Sequence, residues 1–92
     1  GKTALVIASE KGNLEVMRWL ISYIKNDIDF KTIEGGIALI TAAKMGHFDV
    51  VEELLNQKIN VNSSDSFNRT ALQYATENGY LRIVKLLIKN RA

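Results

Sequence analysis

Apolar residues recur along this chain in three copies of one arrangement. Thr3-Ala4-Leu5-Val6-Ile7-Ala8 returns as Ile37-Ala38-Leu39-Ile40-Thr41-Ala42 and as Thr70-Ala71-Leu72-Gln73-Tyr74-Ala75, at steps of 34 and 33 residues. Gly12, Gly46 and Gly79 keep the same step. Behind each glycine comes the same apolar set: Leu14, Val16, Met17, Leu20 and Ile21, then Phe48, Val50, Val51, Leu54 and Leu55, then Leu81, Ile83, Val84, Leu87 and Ile88. That i, i+3, i+4, i+7 spacing predicts a helix. Each unit therefore reads as a short helix, a tight turn and a longer helix. The three glycines are expected at positive φ, where a side chain costs energy. Thr3 and Thr70 stand where an N-cap hydroxyl accepts from the first free amides.

Between units the chain turns polar. Asn60-Val61-Asn62-Ser63-Ser64-Asp65-Ser66-Phe67-Asn68-Arg69 is dense in turn formers and predicts a projecting hairpin or loop. The first connection, Ile28 to Gly36, differs in length on both sides. Leu20 to Ile28 is eight steps, against five from Leu54 to Ile59, an excess of three residues that should lengthen or distort the second helix around Ser22 to Asp27. Phe30 to Ile37 is seven steps, against nine from Val61 to Thr70, so the hairpin there is two residues shorter.

With its period near 33 residues, its two helices per unit and its T-x-L-x-x-A boxes, the sequence resembles the ankyrin repeat family. Gly46 through Leu55, Ile59-Asn60-Val61-Asn62 and Asp65 through Leu72 carry the likeness most closely. The resemblance implies an all-α fold: an ankyrin repeat solenoid of three helix-turn-helix units linked by hairpin loops. It implies a single domain over residues 1–92, with repeats expected at 1–32, 33–64 and 65–92. The box proline is replaced by Ala4, Ala38 and Ala71 and the box histidine by Val6, Ile40 and Gln73, so a hydrogen-bond network typical of the family should be missing. Ile37 replaces the cap threonine of the middle unit, where restoring Thr is expected to stabilise, and Asn68 replaces the hairpin glycine, a position that Asn tolerates in left-handed geometry.

Composition removes other classes. Zero cysteines exclude disulfides and Cys-ligated zinc. The 12 basic and 10 acidic residues are spread evenly between the halves, which argues against nucleic acid. No apolar run approaches the roughly 18 residues of a membrane span, and no signal segment opens the chain, so it reads as an intracellular protein, cytoplasmic or nuclear. It begins at Gly1 without an initiator Met, as a processed product or a piece of something longer would. Neither outer unit reads as a polar cap, so further repeats are expected in the parent chain.

Candidate chemistry is thin. Gly1-Lys2-Thr3 lacks the earlier glycine and preceding strand of a phosphate loop, and Thr3 is better read as a cap. His47 is the only histidine and reads as structural, so no enzyme is expected. No metal or cofactor site is expected either. Asn62-Ser63-Ser64 and Asn68-Arg69-Thr70 match the glycosylation triplet, which matters only in a secreted chain. Trp19 reads as packing. Arg82, Lys85 and Lys89 read as the helix dipole's preference for cations at a C-terminus.

What the family resemblance implies instead is recognition of another protein on the concave surface of hairpin tips and first helices. Aligned on the repeat, those positions are Lys2, Glu10, Lys11, Ile33, Glu34, Gly36, Lys44, Met45, Ser66, Phe67, Arg69, Glu77 and Asn78. Ile33, Met45 and Phe67 are conspicuously apolar for projecting positions, although Ile33 and Phe67 could instead staple their own hairpins. The alternative is a ligand- or nucleotide-binding module that uses Phe67 for stacking and Arg69 for charge.

Overall fold

The computed structural model describes residues 3–27 and 30–91, without the side chains of Lys31 and Thr32. Six α-helices form three antiparallel pairs: α1 (Ala4–Lys11) with α2 (Leu14–Ile24), α3 (Gly35–Met45) with α4 (Phe48–Leu55), and α5 (Ala71–Glu77) with α6 (Leu81–Lys89). First helices stack on first helices and second on second, so the chain builds two layers. The all-α repeat architecture expected from the periodicity is the one observed.

Each pair is closed by the same device. Gly12, Gly46 and Gly79 have φ of 70°, 80° and 73°. In that conformation the amide of the next residue folds back onto the first helix: Asn13 donates to Ala8 O, His47 to Ala42 O and Tyr80 to Ala75 O. These bonds satisfy carbonyls that a helix end leaves without partners. At the other ends, Thr3 Oγ1 accepts from the Val6 amide at 3.2 Å and Asn13 Oδ1 from the Val16 amide at 3.1 Å. Thr70 does more, because Gln73 returns the favour. Its side-chain oxygen accepts from the Thr70 amide at 2.8 Å while Thr70 Oγ1 accepts from the Gln73 amide, a full capping box. Gln73, the residue in place of the box histidine, thus forms a local capping network with Thr70.

The core lies between the layers. Leu5, Met17, Ile21, Leu39, Val50, Val51, Leu54, Ile83 and Leu87 supply its bulk, and Ala8, Ala38, Ala42, Ala43, Ala71 and Ala75 are buried between the stacked first helices. Small side chains there let neighbouring backbones approach closely, while the second helices contribute the branched volume.

Two irregularities anticipated from the loop lengths have different outcomes. The three-residue excess is absorbed by α2, which has 11 residues against 8 in α4 and 9 in α6. The shortened first connection, however, does not form a hairpin. Phe30–Glu34 is a π-helical turn that runs straight into α3, and Glu34 has helical φ and ψ of −63° and −40°. Ile37 is therefore the third residue of a helix already under way, and the cap expected from Ile37→Thr has no free first turn to close. Gly35 and Gly36 make this continuity fit. A Cβ on Gly35 would sit 2.6 Å from the Phe30 carbonyl oxygen and 2.7 Å from Ile59 Cγ2, and one on Gly36 would sit 2.5 Å from Ser63 Oγ. Phe30 itself is buried in the core.

Trp19 corrects another expectation. The inward stripe of α2 is Met17, Leu20, Ile21 and Ile24, and Trp19 lies two residues from both Met17 and Ile21, on the opposite side of the helix. It is 66% exposed and stacks on exposed Tyr23 at a ring separation of 5.8 Å. His47 behaves as read from the sequence: its Nε2 pairs with the Glu10 carbonyl at 2.9 Å and its ring lies against Gly12, tying the second pair to the first.

Candidate functional site

The second connection does form a hairpin, and one carboxylate organises it. Asp65 Oδ1 accepts from the amides of Phe67 at 2.9 Å and Arg69 at 3.1 Å. The Asp65 amide donates to Arg69 O, its carbonyl accepts from the Asn68 amide, and Ser64 pairs with Thr70 across the neck. Asn68 takes φ of 61°, the left-handed place that the sequence assigned to it. The other carboxylate oxygen accepts from Tyr74 Oη at 2.5 Å, fastening the hairpin to α5.

This anchoring shifts both groups. The Tyr74 hydroxyl, with help from the Arg69 and Phe67 amides and the Lys44 charge, holds the Asp65 carboxyl below its ordinary 3.8 against an opposing push from burial. The same bond, with burial and the carboxylate's charge, raises the Tyr74 phenol above its ordinary 10.0. A depressed acid contributes stability that is complete above its unfolded value and lost as pH falls through the folded one. A raised phenol contributes stability that is complete below its unfolded value and lost as pH rises through the folded one. Thermal midpoints should thus decline below about pH 4 and again above about pH 10. Tyr74→Phe should flatten both limbs, and equal slopes in the variant and the parent chain would show that the bond contributes nothing.

Of the residues proposed from the repeat alignment, Phe67, Arg69 and Lys44 are in direct contact with this anchor, and Glu77 and Asn78 are tied to Arg69 and Lys44. Phe67, at the hairpin tip, is 79% exposed, and Ser66 beside it is exposed as well. Ile33 is 56% exposed, but on the π-helical turn rather than on a hairpin. Neither side chain is buried as a staple of its own connection. Met45, at the end of α3, is 45% exposed, Glu34 is half-buried and Lys11 is exposed at the end of α1. Lys44 places its Nζ 5.3 Å from the Tyr74 ring centroid, and Asn78 donates to the Lys44 carbonyl at 3.2 Å, bridging α5 to α3. Arg69 lies 5.0 Å over the Tyr74 ring and pairs with Glu77 at 2.5 Å. Its guanidinium stays partly exposed in this arrangement. Gly36 is buried beneath Ser63, Glu10 lends its carbonyl to His47, and Lys2 lies outside the described residues. Asp65 and Tyr74, absent from the aligned positions, hold this surface together. An Asp two residues before an exposed aromatic and five before a cap threonine is the signal of a side-chain-closed turn that would have identified them.

A family model for ankyrin repeats, in three copies, matches residues 5–92. The chain belongs to the ankyrin repeat family. These repeats are in general protein interaction modules. The chain is 33% identical over all of its length to the neurogenic locus notch homolog protein 1 of Xenopus laevis, of which it spans 4%. It is 35% identical over 91% of its length to a probable E3 ubiquitin-protein ligase of Oryza sativa subsp. japonica, spanning 16% of that protein. With the ankyrin repeat and KH domain-containing protein mask-1 of Caenorhabditis elegans it shares 39% identity over 97% of its length and 3% of the relative's. Among solved structures it superposes along its whole length, at a TM-score of 0.83 and 32% identity, on 48% of a chain in the complex of a predatory endopeptidase from Bdellovibrio bacteriovorus with an immunity protein. No helix among the described residues is long and apolar enough to cross a membrane.

Proposed function

We propose that this ankyrin-repeat chain binds another protein through the surface made by the hairpin tip and the ends of the first helices, with Phe67 as its anchor. The observation that carries this reading is the pairing of exposure with order at Phe67: its ring is free while its own amide is held by Asp65. An aromatic on a fixed backbone loses little entropy on docking, and aromatic residues dominate interface hot spots. Ile33 and Met45 add apolar area, while Lys11, Glu34, Lys44, Ser66, Arg69, Glu77 and Asn78 form the polar surround. That a chain of this fold occurs in a solved complex between two proteins supports the class of partner.

The test is to capture partners with the intact chain, then to measure the affinity of a captured protein for the parent and for Phe67→Ala by calorimetry. Loss of a true anchor costs about 2 kcal/mol or more, so binding should weaken at least about tenfold. The unfolding midpoint should stay nearly fixed. A fall in stability with affinity unchanged would place Phe67 in the fold's own packing instead.

Further repeats in the parent chain are also part of this reading. Val50 and Ile83 are buried where a preceding helix pair covers them, while Val16, at the equivalent place in the first pair, is 43% exposed beside Ala4, Ile7, Lys11 and Asn13 along an open groove. Hydrogen exchange on the parent protein should show the amides of α1 and α2 protected as strongly as those of α3 and α4; rapid exchange there would mean that nothing stacks on this face.

A further inference from the structure

The groove between α4 and α6 has a charge pattern that helix electrostatics does not account for. The second residue of α2 is Glu15 and that of α4 is Asp49, acids in the first turn as the dipole favours. At the equivalent place α6 carries Arg82, with no acid in its first turn. A cation there faces the helix's own partial positive charge. Of the three cations on this face only Lys89 lies in the last turn, so the dipole explanation read from the sequence covers one of them.

Arg82, Lys85 and Lys89 follow one another at i, i+3 and i+7 and therefore share a face. None of them forms an ion pair among the described residues. Arg82 is exposed, its guanidinium carbon 4.1 Å from the centroid of the Phe48 ring. Together with Phe48, Leu86 and Glu52 the three cations line a groove of about 320 Å³. The neighbouring acid on α4, Glu53, is engaged elsewhere, paired with Arg18 at 3.1 Å.

We propose that this groove is a second binding site, for an acidic peptide segment of a partner protein that carries an apolar side chain. Carboxylates of the segment meet Arg82, Lys85 and Lys89, and its apolar side chain covers Phe48 and Leu86. An exposed guanidinium offers two parallel N–H groups to a carboxylate, the strong bidentate form of this contact. A nucleic acid fits less well, because the floor is apolar and the chain's net charge is only +2. The site lies on α4 and α6 and does not depend on the hairpin surface centred on Phe67.

The experiment is fluorescence anisotropy of the whole chain with a labelled peptide of Asp and Glu punctuated by Leu. The comparison probes are a peptide with Lys in place of every acid and a single-stranded oligonucleotide. Binding of the acidic peptide should weaken about tenfold in Lys85→Glu/Lys89→Glu, less in Lys85→Gln/Lys89→Gln, and progressively with added salt. Phe67→Ala should leave it unchanged, which separates this site from the hairpin surface. Circular dichroism of the neutral pair of substitutions guards against a folding defect. Undiminished binding in the charge-reversed variant, no binding of the acidic peptide, or tighter binding of the oligonucleotide would overturn the proposal.

Discussion

Leu39→Ala is expected to remove about 3 to 5 kcal/mol of stability. Leu39 is fully buried in α3, the helix that packs against α1, α4 and α5. Deleting its branched end forfeits the transfer free energy of the lost carbons and leaves a cavity that surrounding helices cannot close without separating from one another. A small domain has about 5 to 15 kcal/mol in total, so the loss is a large part of the whole. In a stack, each pair is held by its neighbours, and a defect in the middle pair weakens both junctions at once. Chemical denaturation should show a single transition moved to much lower denaturant. A shift below about 1 kcal/mol would mean that the middle pair repacks around the deletion.

The second large effect comes from a comparison among the three turn glycines. All share the left-handed conformation, so each alanine substitution carries a strain of about 1 to 2 kcal/mol. Their surroundings differ. A Cβ on Gly79 meets nothing within 4 Å, one on Gly46 would lie 2.9 Å from the Tyr80 ring, and one on Gly12 would lie 2.6 Å from the His47 ring. His47 cannot simply turn away, because its Nε2 is bonded to the Glu10 carbonyl. Gly12→Ala should therefore cost about 2 to 5 kcal/mol, strain and overpacking together, with Gly46→Ala between it and Gly79→Ala. Unfolding free energies of the three variants measure this order directly. Equal losses at all three positions would show that backbone strain alone matters and that the His47 contact is incidental to the junction.

The same glycines show how far the chain's local grammar reaches. Positive φ at Gly12, Gly46 and Gly79, the caps at Thr3 and Thr70, the left-handed Asn68 and the lengthened α2 all follow from residue type and spacing. They are local properties, settled by which backbone conformations a residue can adopt and by how many residues lie between two fixed points. The repeat step made them legible because three copies disagree only where something has changed.

What spacing could not convey was the direction in which each helix meets its neighbours. Trp19 lies in the apolar stretch of α2 yet faces outward, because Met17 and Ile21 already occupy the side that the stack covers. The first connection carries an Ile where its counterparts carry cap threonines, and in sequence that looks like a lost cap. In three dimensions it is a helix that never stopped, made continuous because Gly35 and Gly36 let it lie against Ile59 and Ser63, residues more than twenty positions away. The Asp65–Tyr74 anchor and the Arg69–Glu77 pair likewise join residues eight or nine apart across a hairpin whose closure only the folded chain decides. Periodicity in the sequence by itself determined that there are three helix pairs and where each one turns. Which side chains remain outside for a partner was decided by tertiary packing, since exposure is what is left after each helix has buried the face its neighbours can reach.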